Sequence, residues 1–579
     1  MIRVLSTNIT SPLGLTTEEN YQAVKSGHSV LTTYEHWKGV ADPFAASMFS
    51  DDQLATMAMA GYSRFEAMAI HSVKEALSHT ELSAETIGAT KTLLILSTTK
   101  CNVEELGMEE GEDGNYLHAG ETARKIARSL GITTDPIVVC NACISGVSAQ
   151  LTAQRLIEAG HYDTAIVCGA DCVTPFIVAG FQSFKALSPY PCRPFDIERL
   201  GLNVGEAAAT LIFQKIGQED AEATAWCLEK GCTNNDAYHV SAPSPVGDGT
   251  YRAIMHTMEG VEPEDLAMVG VHGTATMFND QMESKAIQQA QLSEIPLSAI
   301  KGYYGHTMGA AGVLETIISL RALEERCIVP TRGYEEIGVS GKITISNEML
   351  TTEKQRFLKI ISGFGGCNGA LLFAKEKLSC AAATQKEDAC ATNIETLHRV
   401  QLTPTSLIVD GKVYETEETG KALLTNIYKR YIGNYPKFYK MDMLCRLVFV
   451  ATELLVQQED AERGEAGPVE GEERAVILFN RTSSIVSDRK HIVTIGEDLL
   501  PSPSVFLYTL PNIVTGEIAI KHNYKGETSL YILEEKNEKL MKQIIGTSLL
   551  QSLTQSVITG WVDCSDENVF EADLSIIKK

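Results

Sequence analysis

No stretch of this chain approaches the ~18 consecutive apolar residues of a membrane span. The Met-Ile-Arg-Val start lacks the charged-then-apolar pattern of a signal peptide. Basic charge is scarce: 49 Lys and Arg stand against 74 Asp and Glu, a net charge of -25, which argues against broad contact with nucleic acid or an anionic membrane. Paired Cys-x-x-Cys units at zinc spacing are missing, since the single unit from Cys140 to Cys143 has no second pair. The 14 cysteines follow no regular spacing, and Cys168, Cys327 and Cys445 lie in apolar segments, which argues against a disulfide framework. A cytoplasmic protein without metal or cofactor, and with neither nucleic acid nor membrane as a partner, is expected.

At 579 residues the chain is too long for one ordinary core, so at least two domains are expected. Hydrophobic content of 44% with 21% charged residues leaves ample apolar surface to bury. Strand and helix alternate. Ile2 to Leu5 reads as a strand, Ser11 to Gly14 as a turn, Ser63 to Ser78 as helix, Leu93 to Leu96 as strand, Gly120 to Leu130 as helix, Ile137 to Val139 as strand, Val147 to Ala159 as helix and Thr164 to Cys168 as strand. Asp196 to Phe213 reads as less regular. Ala267 to Val271, Ile343 to Ile345 and Phe357 to Ile361 follow as strands, with a long helix from about Ala310 to Glu325. Such alternation predicts an α/β fold with mostly parallel strands covered by helices on both faces.

Within this pattern Asp135 to Gly146 delivers Cys143 from a buried strand to a helix start. Free backbone N–H groups and the helix dipole there stabilise a thiolate, predicting a pKa below the ~8.5 of a free thiol, and can hold an oxyanion. Such a site suits covalent acyl transfer, although the stretch alone also reads as one more buried apolar cysteine. Three later segments bear on the choice. Val271 to Thr276 is a strand running into a glycine turn with His272 at its end, followed by Asn279, Asp280 and Glu283. Lys301-Gly-Tyr-Tyr-Gly-His306-Thr-Met-Gly-Ala-Ala-Gly312, then Glu315, uses small residues to bring a helix start against another backbone and leave an imidazole facing the gap. Ser362-Gly-Phe364-Gly-Gly-Cys-Asn-Gly369 follows a strand with glycine that lets backbone approach a ligand or a neighbouring chain.

The order of these segments resembles the condensing enzymes of the thiolase fold, in particular the elongating β-ketoacyl-[acyl-carrier-protein] synthases. Phe181 to Ser188 and Cys192 to Asp196 extend the resemblance, which covers about residues 1 to 376; Ala275 and Cys367 depart from the residues more usual there. The resemblance implies a layered α-β-α-β-α fold of two pseudo-repeated halves. It implies decarboxylative Claisen condensation of an acyl thioester on Cys143 with malonyl carrier protein, as in fatty-acid, polyene or polyketide biosynthesis. His272 and His306 would stabilise the enolate oxygen or handle the accompanying proton; the N–H groups of Cys143 and Phe364 would form the oxyanion hole, with Phe364 as gate. Lys301 and Glu315 would be the charged pair behind the second histidine, with Glu283 near it. Acyl carrier protein, in acyl and malonyl forms, would be the partner, in a homodimer or a heterodimer with another synthase-like subunit. The alternative is a non-condensing partner subunit akin to a chain-length factor, against which Cys143 argues.

The expected organisation is a synthase domain over 1–377, with halves of about 1–175 and 176–377, a linker over 378–400 that includes Ser379 to Asp388, and an inactive, partial second thiolase-like domain over 401–579. Within the last, Gln458 to Arg474 reads as a solvated loop. The rest reads as a repeat of the first half. Met443 to Leu455 matches the helix ending near Leu77, Ala475 to Phe479 the strand Leu93 to Leu96, Ser529 to Leu533 the nucleophile strand, and Tyr508 to Ile518 the helix before it. Aligning Asp563 with Asp171 puts Glu535 at the position of Cys143, and the chain ends before any counterpart of His272 or His306. The expected role is a partner surface that docks or a binding surface for carrier protein, with an accessory domain unrelated to the site as the alternative.

Overall fold

The computed structural model describes residues 1–40, 42–107, 115–217, 220, 223–378, 394–496, 499 and 501–579; the expected linker stretch Ser379 to Asp388 lies outside them. Three five-stranded arrangements repeat one order. In the first, Ile2–Thr10 pairs antiparallel with Ala207–Gln214, which pairs antiparallel with Thr164–Asp171; Thr92–Ser97 and Ile137–Val139 continue it in parallel. The second runs Thr224–Asn235, Cys367–Lys377, Arg356–Gly363, Met268–Gly270, Pro296–Ser298 with the same directions. The third runs Glu395–Thr403, Val569–Lys578, Ser556–Asp566, Arg474–Asn480, Thr528–Ile532. The first two give a layered α/β arrangement, but each has two antiparallel and two parallel pairings where mostly parallel strands were expected, and Ala207–Gln214 belongs to the first sheet although the first half was expected to end near 175.

Between the first two sheets lie the helices Ser145–Glu158 and Ala311–Glu324, each buried along nearly its whole length. Their starts cross at Gly146 and Gly312. A Cβ on Gly146 would lie 2.9 Å from the Val313 nitrogen, and one on Gly312 2.7 Å from the Val147 nitrogen. Only glycine permits this approach, which brings the Cys143 turn beside the His306 segment.

The third sheet differs in the faces of two strands, while Arg474–Asn480 and Thr528–Ile532 are buried throughout. Strands of the first are buried on both sides, as Ala207–Gln214 is along seven of its eight residues. Glu395–Thr403 and Val569–Lys578 instead alternate buried with exposed or partly exposed residues. The helix Met443–Arg463 packs on the apolar face, while Arg399 pairs with Asp573 on the other at 2.7 Å. One covered face and one solvated face is what such alternation encodes.

This third sheet joins the first edge to edge. Thr528–Ile532 pairs antiparallel with Ile137–Val139, matching Tyr531 with Val139 and Ile532 with Val138. Ladder positions identify these residues as counterparts: Ser97 faces Val139 and Gly169, and Phe479 faces Tyr531 and Trp561. The two sheets are thus related by a local pseudo-twofold through Val139 and Tyr531. The same register places Glu535, four residues past Tyr531, where Cys143 stands four past Val139. Glu535 is exposed. Asp563 also repeats Asp171: Asp171 accepts from the hydroxyls of Thr98 and Thr99 at 2.8 and 2.9 Å, and Asp563 from the hydroxyl of Thr482 at 2.6 Å.

Several expectations need correction. Gln458 to Arg474 is not a solvated loop throughout: the helix Met443–Arg463 runs into it, and fully buried Arg474 pairs with Glu459 at 2.5 Å. Burying that pair needs an ordered backbone at both ends. The strand Glu395–Thr403 starts inside the expected linker and ahead of residue 401, because its pairing partner Val569–Lys578 extends that far. Asp196 to Phe213, read as irregular, ends in a strand whose continuous apolar run fits a sheet covered on both faces.

Candidate active site

Cys143 lies in the single 3-10 turn Ala142–Ile144 that leads into the helix Ser145–Glu158. Ala142 is held at φ +48°, a left-handed conformation that turns the chain sharply out of the strand and costs of the order of 1 kcal/mol or more for a residue with a Cβ. The turn opens on a cavity of about 320 Å³ whose lining includes Cys143, His272, His306, Phe181, Phe184 and Phe364. Cys143 Sγ and one nitrogen of each histidine lie within 4.8 Å of one another, and the imidazole planes meet edge to face at 5.1 Å between centroids.

The strands Met268–Gly270 and Pro296–Ser298 are adjacent and parallel, so the segments that follow them emerge side by side. His272 ends the first. Lys301, just past the second, donates from Nζ to His272 Nδ1 at 3.1 Å, to the His272 carbonyl at 2.6 Å and to Glu315 at 2.6 Å. The other Glu315 oxygen pairs with Lys359 at 2.5 Å. Although burial pushes the Glu315 carboxyl up, these two lysines hold it below its ordinary value. Glu283 accepts the backbone N–H groups of His272 and Gly273 at 2.5 and 2.9 Å, and burial lifts its pKa to about 7.

Lys301, Glu315 and Glu283 therefore all support His272, the first histidine, and not the second as expected. His306 takes its hold from the backbone, its Nδ1 accepting the Met308 N–H at 3.2 Å. With Nδ1 engaged as an acceptor on both rings, the ring proton resides on Nε2 of each. Burial, reinforced by the charge of Lys301, keeps both imidazoles neutral, with pKa values well below the usual range. His306 Nε2 is buried with no protein partner, leaving it a donor for whatever occupies the cavity. Cys143, His272 and His306 offer the atom types of a metal site, but protons on Nε2 occupy the lone pairs a metal would need. The arrangement suits hydrogen-bond donation.

The backbone N–H groups of Cys143 and Phe364 both favour the Cys143 thiolate. Even so, burial pushes the Cys143 thiol up to about 12, against the opposing pull of Lys301 and those N–H groups. The expected low thiol pKa is thus overturned, because desolvation of a charge outweighs two amides and a helix start. Ala275, one of the two departures, adopts φ +63°, a left-handed conformation that strains a residue with a Cβ. Cys367 lines the same cavity. Lys359 escaped the sequence reading, since it sits within the apolar strand Arg356–Gly363 and no local motif marks it.

Two consecutive family models match the chain: "Beta-ketoacyl synthase, N-terminal domain" over residues 2–218 and "Beta-ketoacyl synthase, C-terminal domain" over 225–335. This chain belongs to the β-ketoacyl synthase family. Among its relatives is 3-oxoacyl-[acyl-carrier-protein] synthase 2 of Staphylococcus aureus, 31% identical over 266 residues, or 43% of this chain; the match spans 64% of that relative's length. A solved ketosynthase in complex with its chain length factor, from Xenorhabdus doucetiae, is 25% identical with a TM-score of 0.54, covering 65% of this chain and 98% of its own. A structure titled "PfaC Keto synthase-Chain length factor" covers 100% of this chain and 78% of its own with a TM-score of 0.75. At 16% identity that likeness is one of fold. As in other β-ketoacyl synthases, the fold is thiolase-like. Among the described residues no helix is long and apolar enough to cross a membrane.

Proposed function

We propose that this chain condenses an acyl thioester with malonyl carrier protein, lengthening the acyl group by two carbons. Cys143 is the nucleophile, and His272 and His306 are the donors to the enolate. In the first step the Cys143 sulfur attacks the acyl carbonyl, the oxyanion rests on the N–H groups of Cys143 and Phe364, and the carrier thiol leaves with the cysteine's proton. In the second, malonyl thioester loses carbon dioxide, and the enolate oxygen accepts hydrogen bonds from the two neutral Nε2–H groups. The enolate carbon then attacks the acyl carbon on Cys143, expelling the sulfur, which recovers a proton. Lys301, Glu315, Lys359 and Glu283 orient His272. The observation that carries the reading is the convergence of Cys143 Sγ and both imidazoles within 4.8 Å.

Residues 1–377 would form the synthase unit, and the part from about Glu395 onward an inactive counterpart of its first half, with Glu535 at the nucleophile position. That counterpart docks on the edge of the Ile137–Val139 strand, so the synthase-like partner lies in the same chain. Carrier protein in its acyl and malonyl forms and a cytoplasmic setting complete the proposal. Intact-protein mass spectrometry with acyl and malonyl carrier proteins tests it. The expected result is an acyl adduct that requires Cys143 and a carrier-bound chain two carbons longer; Cys143→Ala should give neither. No adduct on the wild type would instead favour a non-condensing partner subunit.

A further inference from the structure

The C-terminal part reaches the active-site loop at one place. Asn512, buried and 148 residues from Phe364 in sequence, donates from Nδ2 to the Phe364 carbonyl at 2.8 Å. It stands at the start of the helix Ile513–His522, whose Gly516 lies against Gly365: a Cβ on Gly516 would sit 2.5 Å from the Gly365 oxygen. Residues of the synthase unit hold the opposite side of the same loop. The Gly365 N–H donates to the Val240 carbonyl at 2.7 Å, and Asn235 Nδ2 donates to the Gly365 carbonyl at 2.8 Å. Gly365 and Gly366 take φ values of +92° and +75°, so the loop has backbone freedom that these bonds remove. Phe364, whose carbonyl Asn512 holds, is also a residue whose backbone N–H favours the Cys143 thiolate, and it lines the same cavity as Cys143.

We propose that Asn512 is a positioning residue for acyl transfer: by fixing the Phe364 carbonyl it holds the neighbouring Phe364 N–H where the oxyanion forms. The C-terminal part thereby completes the oxyanion hole without contributing a catalytic residue. This deepens, and rests on, the assignment of Cys143 as nucleophile.

Two reactions of Cys143 separate positioning from general disruption. Acyl transfer passes through a tetrahedral oxyanion, whereas alkylation by iodoacetamide requires the thiolate alone. In the full-length chain, Asn512→Ala and the isosteric Asn512→Asp, which lacks the donor, should each slow acyl transfer from an acyl carrier protein by about 10- to 100-fold. Alkylation should fall far less than acyl transfer, by a few-fold at most, because the Phe364 N–H is only one of several groups that favour the thiolate. Gly516→Ala should act in the same direction by displacing the Gly365 carbonyl. Unchanged acyl transfer in both Asn512 variants overturns the inference, as does a parallel loss of both reactions, which indicates mere structural damage. A wild type that alkylates at Cys143 but accepts no acyl group removes the catalytic reading itself, and is distinguishable because it appears before any substitution.

Discussion

Lys301 Nζ sits 3.1 Å from His272 Nδ1, and this contact decides which nitrogen of the imidazole faces the cavity. The ammonium has no lone pair with which to accept a hydrogen bond, so Nδ1 must present its own lone pair and Nε2 must carry the hydrogen. Lys301→Met removes that constraint and the nearby positive charge together. Carbon dioxide release from malonyl carrier protein should fall by about 100-fold, the scale of a lost enolate donor. The His272 pKa, read by NMR, should rise toward the ordinary value. An unaltered release rate would mean that the lysine plays no part in orienting the ring.

The raised Cys143 thiol predicts an unusual pH dependence. With a pKa of about 12, the thiolate fraction grows by about tenfold per pH unit throughout the neutral and mildly alkaline range. Iodoacetamide labelling of Cys143 should therefore be slow at pH 7 and rise log-linearly from pH 7 to 10 without a plateau. A plateau below pH 9 would show that the helix start prevails over burial.

The histidines predict the sign of an acid effect on stability. Both native pKa values lie well below the ordinary 6.5 of histidine, so below pH 6.5 the unfolded chain binds protons that the folded chain refuses. Their contribution is complete above pH 6.5 and is lost as the pH falls toward the native values. Glu283, raised from 4.5 to about 7, acts oppositely, since its native carboxyl keeps a proton that the unfolded one has lost. Comparing the His306→Asn variant with wild type isolates the first effect: the difference in urea midpoint should change between pH 7 and pH 5, with wild type losing more stability on acidification.

Across the seam between the synthase unit and the C-terminal part, Lys100 pairs with Asp488 at 2.6 Å, with the two side chains only 3% and 2% exposed. Lys100 also donates to the Thr509 carbonyl at 2.7 Å. Asp488→Ala leaves an ammonium buried without its counter-ion and should destabilise the protein by about 3 to 5 kcal/mol. Lys100→Met with Asp488→Leu should recover most of the loss. Urea unfolding measures both. A loss below about 1 kcal/mol for the single change would mean that water reaches the lysine.

Truncation after Lys377 exposes the edge of the Ile137–Val139 strand and removes Asn512. An unpaired apolar edge should recruit another copy or aggregate. Light scattering should therefore show a monomer for the full chain and larger species for the fragment, with condensation reduced at least tenfold. A truncated protein with full activity would show that the C-terminal part is dispensable.

Cys143, His272 and His306 were legible because each occupies a short local pattern of strand, turn and small residues. Their supports were not, since contacts between distant segments set them. Lys301 reaches His272 because two neighbouring strands end side by side, a fact of sheet order that no motif records, and the lysine was accordingly assigned to the wrong imidazole. Lys359 is hidden in an apolar strand, and Asn512 in a region with no catalytic signature of its own. By contrast, the position of Glu535 emerged by counting back from Asp563, because the segment between them keeps its length in both repeats. The thiol pKa was misjudged for a different reason: sequence reveals the helix start near Cys143 but not how deep in the fold that turn sits.

The seam at Val139 and Tyr531 joins two surfaces of a single polypeptide. Tethering replaces a bimolecular encounter with an internal one, at an effective concentration on the order of millimolar for a short flexible connection. The seam should therefore persist at dilutions that would separate free subunits. The synthase unit and its proposed counterpart are thereby made in a fixed one-to-one ratio.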